Sequence, residues 1–203
     1  MPDKPFFSVI VPAHNSANYI VKGLESIRMQ TFQDYELIVV CDSCTDNTLK
    51  IAGLYADKLF ITNHHHDGLA RNTGLDNAEG KWILFMDDDD WFLHEYVFEQ
   101  IAGMAGKHKE DILLFSFIWK NRGYMSPVPG KESVAVWNKC WRRDFIKWIR
   151  FPNVDWNTDG LFHRRIWREC CPTCYYWDMP MYYYNYMRPG SQTYNRFGPE
   201  VRA

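Results

Sequence analysis

No stretch of this sequence is apolar for long enough to cross a bilayer: the longest strongly apolar run, Ile112 to Trp119, falls far short of the roughly 20 residues a spanning helix needs. Charge of one sign is also missing. Lys and Arg number 23 against 25 Asp and Glu, a formal net charge of -2, which gives no electrostatic case for a nucleic-acid partner. The opening residues, MPDKPFFSVIVPA, lack a basic start, a long apolar stretch and a small-residue cleavage site, so no secretory leader is read there. A cytoplasmic protein is expected, with Cys41, Cys44, Cys140, Cys170, Cys171 and Cys174 as reduced thiols. Internal repeats, low-complexity tracts and long polar linkers are absent too. The expectation is therefore a single domain over residues 1–203, long enough to bury a substantial core. Finally, the glycine-rich phosphate loops are lacking. The turn after the first strand is PAHN, and GLDNAEGK (74–81) has one residue too many for a P-loop, with Trp82 where Ser or Thr is needed.

What is present alternates between strand and helix. FSVIV (7–11), ELIVVC (36–41), KLFIT (58–62) and WILFM (82–86) are short apolar runs of the kind that form buried strands. Between them, Ile20, Leu24 and Ile27 share one helical face after Asn15 or Ser16, and 49–56 and 68–78 read as helices. This pattern predicts an α/β protein with a mostly parallel sheet and helices on both faces. Further on, 111–119 reads as a strand, 120–136 as loop or edge, 137–150 and 161–169 as helices, and MYYYNYM (181–187) as a last aromatic strand. The division suggests a nucleotide-binding half, 1–110, and an acceptor-side half, 111–203. The aromatic share of 17% fits either a ring-rich core or a ring-lined pocket.

Four aspartates, Asp87 to Asp90, directly follow WILFM. In a parallel α/β sheet, ligands bind beyond the carboxyl ends of strands. Adjacent carboxylates raise one another's pKa unless a cation or hydrogen bonds offset the repulsion. Oxygen ligands of this kind suit Mg2+ or Mn2+, which can neutralise a departing diphosphate. A solvated acidic turn is the plainer alternative for such a run taken alone.

In this order, FSVIVPAHNSANYI (7–20), QTFQDYELIVVCDSCTDNT (30–48), DGLARNTGLDNAEGKWILFMDDDDW (67–91), VWNKCWRR (136–143) and MYYYNYMRPGSQT (181–193) resemble family 2 glycosyltransferases of the GT-A (Rossmann-like) fold. The resemblance implies that Pro12, Ala13, His14 and Asn15 line a nucleotide pocket and that Asp42 hydrogen-bonds the base. Arg71 would sit near the donor, Asp87 and Asp89 would form the metal-binding DxD pair, and Asp88 would face the ribose or sugar. The family generally inverts the anomeric carbon and needs a general base. Here WNTDGLF (156–162) places Asp159 at that position, with Thr158 where the family carries Glu and Asp155 as a local alternative. The implied function is a metal-dependent, inverting transfer from a nucleotide-diphosphate sugar, by resemblance a UDP-sugar, to a hydroxyl of a glycan or lipid-linked acceptor. A non-catalytic sugar-nucleotide-binding protein and a nucleotidyltransferase are the alternatives. At 203 residues the chain is short for the family.

Some features depart from the pattern. Cys41 and Cys44 replace an acid and a Ser, which weakens any inference about base selectivity. Cys170, Cys171 and Cys174 can be read as part of a zinc site or as plain thiols. His64-His65-His66 reads as a solvated loop. Segment 137–150, with three Trp and five Lys or Arg, can either pack on the catalytic domain or make peripheral contact with an inner membrane surface.

Overall fold

The structure, a computed structural model, describes residues 4–186 together with Pro189, Ser191, Asn195 and Arg196. In chain order its elements are β1 (Phe7–Ala13), α1 (Ile20–Arg28), β2 (Tyr35–Asp42), α2 (Thr48–Ala52), β3 (Lys58–Thr62), α3 (Asp67–Asn77), β4 (Trp82–Phe85), β5 (Trp91–Phe92), α4 (Val97–Lys107), β6 (Ile112–Trp119), β7 (Gly123–Met125), β8 (Lys139–Arg142), α5 (Arg143–Ile146), α6 (Thr158–Arg165), a π-helical turn over Ile166–Cys170, and β9 (Cys174–Tyr184). Among the described residues the strands join one sheet in the order β3-β2-β1-β4-β8-β6-β9-β5, with β7 paired to β6.

The continuous apolar runs are explained by burial on both faces. Along β1, Phe7, Val9 and Val11 enter one core cluster and Ile10 the other, the period-2 alternation of a strand. One cluster is closed by Ile20, Leu24 and Ile27 of α1 and by Val97, Phe98 and Ile101 of α4. The other is closed by Ala70 and Leu75 of α3, Ile146 of α5 and Phe162 of α6. Helices therefore cover both faces, as the alternating pattern predicts. Pairing is parallel through β3-β2-β1-β4 and again between β6 and β9. Strand β8 runs antiparallel to both β4 and β6, so the sheet as a whole is mixed.

The largest difference from the sequence reading lies in 137–150, where a single helix is expected. Residues 139–142 instead fill the gap between β4 and β6, with Cys140 in one core cluster and Trp141 in the other. Neighbouring residues that face opposite cores belong to a strand, and the helical spacing of Trp141, Phe145 and Trp148 is accidental. Trp137 and Trp141 are buried, whereas Trp148 is 80% exposed. The second-half helix begins at Thr158 and passes into the π-helical turn. The last strand starts earlier than expected, at Cys174, and ends at Tyr184. Met187, Arg188 and the Gly190 of the Pro-Gly turn lie outside the described residues. Helix α4 has no counterpart in the sequence reading, because Gly103 and Gly106 lower the helix propensity of the segment. No helix among the described residues is long and apolar enough to cross a membrane.

At the edge away from the strand carboxyl ends, a polar knot ties three strands. Ser8 Oγ donates to Glu36 Oε1, the Glu79 backbone N–H donates to the same oxygen (2.7 Å), and Lys58 pairs with Glu36 Oε2 (2.8 Å). Gly80 donates to Ser8 Oγ at 2.8 Å, and a Cβ there would lie 2.4 Å from Ser8 N and 2.5 Å from Phe7 C. Those are backbone atoms and cannot rotate away. Gly80→Ala is expected to cost about 1–3 kcal/mol as overpacking, read as a lower urea midpoint at unchanged slope.

Candidate active site

The loops that follow β1, β2, β3 and β4 leave the sheet at one edge. There they form a cleft of about 810 Å³, lined by Pro12, Ala13, His14, Asn15, Asp42, Arg71, Asp87, Asp88, Asp89 and Asp159 among others. These ten residues are the ones the resemblance implies for the site, and one cavity holds them all. Asp155, the local alternative to Asp159, is exposed and lines an adjoining shallow hollow that shares Trp156 and Asn195 with the cleft.

At the floor of the cleft lies Arg71, 4% exposed. It projects from α3 and donates to Asp67 Oδ2 (2.6 Å) one turn earlier and to Asp87 Oδ1 (2.7 Å) after β4, and it pairs with Asp159 Oδ1 (3.5 Å) in α6. The resemblance expects a cation facing the diphosphate; the structure makes it the hub of three carboxylates from three elements. Burial pushes the Asp159 carboxyl up to about 6, with Arg71 opposing and Asp87 and Asp67 adding repulsion. Asp159 Oδ2 accepts the Val136 N–H at 3.3 Å. Thr158, where the family carries Glu, donates its hydroxyl to Asp67 (3.0 Å), so this position joins the cluster as a donor.

Asp42 lines the cleft and also braces the neighbouring loop. Its carboxylate accepts from Thr62 Oγ1 (2.8 Å) and from the backbone N–H groups of His64 (2.6 Å) and His66 (2.7 Å). Burial alone would raise its pKa, but these bonds together hold it below the usual range. Asp42 therefore shapes the loop of three histidines, of which His64 and His65 are exposed and His66 is buried. His14 and Asn15 also do turn chemistry while lining the cleft. His14 Nδ1 lies 2.7 Å from Asp42 O, and Asn15, at φ 46°, accepts from Thr45 N at 2.8 Å. Such a left-handed φ is tolerated by Asn better than by most residues. Asp88 Oδ2 accepts the His14 N–H at 3.0 Å, tying the aspartate loop to the loop after β1. Cys44 Sγ approaches Ala13 O at 3.4 Å, and its hydrogen bond with Cys41 is the main cause lowering its pKa to about 7. Cys170 and Cys171 are exposed, unbridged thiols remote from the cleft lining.

Two residues with no role in the sequence reading hold the site together. Asp90 is fully buried, accepting from Tyr182 Oη (2.8 Å) and Asn185 N (2.7 Å), while Tyr182 Oη accepts the Asp87 N–H (3.1 Å). Burial, then repulsion from Asp89 and Asp87, pushes the Asp90 carboxyl well above the usual range. Asn72 exchanges two hydrogen bonds with the Phe151 backbone (3.0 and 2.9 Å), and the Phe151 ring stacks on Phe162 of α6 at 3.8 Å. An unpaired aspartate after an apolar strand and an Asn inside a helical pattern were the available signals.

Asp87 and Asp89, the pair the resemblance assigns to a metal, both line the cleft. Asp87 is held above the usual carboxylate range first by burial, against which Arg71 acts, and then by repulsion from Asp88 and Asp67; a cation would relieve that repulsion. Among the described residues no three His, Cys, Asp or Glu side chains form a complete cage.

A family model described as glycosyl transferase family 2 matches residues 8–165. TarS of Staphylococcus aureus, a poly(ribitol-phosphate) β-N-acetylglucosaminyltransferase, is 39% identical over 116 residues, covering 53% of this chain and 20% of TarS. Glycosyltransferase GlyA of Streptococcus pneumoniae is 39% identical over 193 residues, covering 79% of this chain and 28% of GlyA. The chain thus spans less than a third of either curated relative. Among solved structures, S. aureus TarS 1-349 in complex with UDP-GlcNAc matches with a TM-score of 0.80 at 28% identity, over 92% of this chain and 60% of that one. Mannosyltransferase PcManGT from Pyrobaculum calidifontis, in complex with GDP-Man and Mn2+, shares the fold at a TM-score of 0.66 and 17% identity, over 88% and 56%. The architecture is GT-A, and with the family model running from β1 to the end of α6, the chain belongs to glycosyl transferase family 2.

Proposed function

We propose that this chain transfers a sugar from a UDP-sugar to an acceptor hydroxyl in a single inverting displacement. One observation carries the reading: Arg71 joins Asp87, at the end of β4, to Asp159, at the start of α6, within a single cleft. A diphosphate-side carboxylate and a candidate base are thereby held in one frame. The solved TarS complex with UDP-GlcNAc, which this chain matches over 92% of its length, supports the choice of a UDP-sugar.

In this reading the loops after β1 and β2 receive the nucleotide, and Asp88 lies toward the ribose or sugar. Asp87 and Asp89 would hold Mn2+ or Mg2+, which when bound would neutralise charge on the departing UDP. Asp159 takes the proton of the attacking hydroxyl as its oxygen bonds the anomeric carbon and the bond to the diphosphate breaks. Arg71 keeps that carboxylate oriented, and burial keeps it basic enough to accept a proton near neutrality. Trp119 and Tyr184, both half-buried, also line the cleft and offer rings on which an acceptor glycan or lipid-linked sugar can stack.

Asp159→Asn is expected to lower sugar transfer or donor hydrolysis by about 100-fold or more, with UDP-sugar binding unchanged by calorimetry. Parental turnover in that variant would remove the base. Because the base acts ionised, turnover in the parent should fall as pH drops through about 6 and be level above it, checked by a pH-rate profile; Asp159→Asn should lose that limb. Asp89→Asn should weaken Mn2+-dependent binding of UDP-GlcNAc by about tenfold, measured against GDP- and TDP-sugars with and without the ion. Equal binding and turnover would refute the metal assignment. Tight donor binding with neither hydrolysis nor transfer at any pH would favour a sugar-nucleotide-binding protein.

A further inference from the structure

The VWNK segment holds a lysine that is wholly buried. Lys139 opens β8 between β4 and β6 and is 0% exposed. Its ammonium donates to Ser133 O (2.7 Å), Ala135 O (2.5 Å) and Asn138 Oδ1 (2.9 Å). All three of its N–H donors are used, and all three acceptors are neutral. Placing a charge in a core with no direct counter-ion is costly, and an apolar side chain would fill the same space without that cost. Burial lowers the ammonium to about 7, with Asp159, Cys174 and Glu132 opposing at longer range. Stability alone therefore does not explain a lysine here.

What the ammonium does is bend a stretch of chain. Ser133 and Ala135 carbonyls turn inward to it, and the intervening backbone becomes a wall of the cleft, with Ser133, Val134, Ala135 and Trp137 in its lining. The next peptide completes the arrangement. Val136 donates its N–H to Asp159 Oδ2 (3.3 Å) and accepts the Trp141 Nε1–H on its carbonyl (3.1 Å). Lys139 thus reaches the carboxylate of Asp159 through one turn of backbone, while Arg71 forms an ion pair with the other carboxylate oxygen at 3.5 Å.

We propose that Lys139 is a positioning residue that gathers the Ser133 and Ala135 carbonyls so that this wall and the Val136 N–H orient Asp159 for proton abstraction. The proposal rests on the reading of Asp159 as the base. It does not require Lys139 to touch either substrate.

The test is a double-variant cycle in the full chain, with UDP-GlcNAc and Mn2+ as probes and water as the acceptor. Lys139→Met should lower kcat for donor hydrolysis by about tenfold or more, leaving KM for UDP-GlcNAc within about twofold. Lys139→Gln, which keeps two N–H donors, should recover part of the loss, and it runs the same cycle should the Met variant not fold. In an Asp159→Asn background the Lys139 substitution should change the residual rate by less than about twofold, since residues acting through one another are not additive. If the losses multiply instead, or if kcat is unchanged, the proposal is overturned while the base assignment stands. Parental hydrolysis in Asp159→Asn alone overturns both.

Discussion

A single guanidinium sets the geometry of the cleft. Arg71 reaches Asp67, Asp87 and Asp159, which come from a helix, a strand end and a second helix remote in sequence. Lysine could not replace it, because one ammonium lacks the planar fork that meets several carboxylates at fixed angles. Removing the cation would leave three half-buried carboxylates without their direct counter-charge.

Around this hub, polar side chains fix backbone rather than ligand. Asp42 ties down the loop after β3, Asn15 joins the loops after β1 and β2, and Asp90 fastens the end of β9 to the aspartate loop. Loops built this way hold their shape before anything binds, which lowers the ordering cost that a flexible site would add to each encounter.

Much of this was legible in the sequence. The β-branched runs located β1 to β4, and the position of Asp87 to Asp89 beyond WILFM located the cleft, because strand burial and strand-end chemistry are local properties. The resemblance added Asp159, which the structure places beside Arg71. What was not legible depends on long-range pairing. Residues 137–150 have helical spacing, yet 139–142 form a strand because β4 and β6 leave a gap between them. The hydrogen-bond partners of Asp42 and Asp90 were likewise hidden, since they lie 20 to 95 residues away in the chain.

The antiparallel wedge made by β8 has a consequence for how the chain acquires its shape. Strand β4 is formed early in the sequence, but its outer edge gains a partner only when residues 139–142 arrive. Until then Trp82 to Phe85 present unpaired amides and apolar side chains, the kind of edge on which nascent chains associate wrongly. The same short strand carries Lys139, so the segment that seals this edge also brings the cleft wall into place. Sealing of this edge and placement of the cleft wall are thus one non-local pairing, of the class that slows folding.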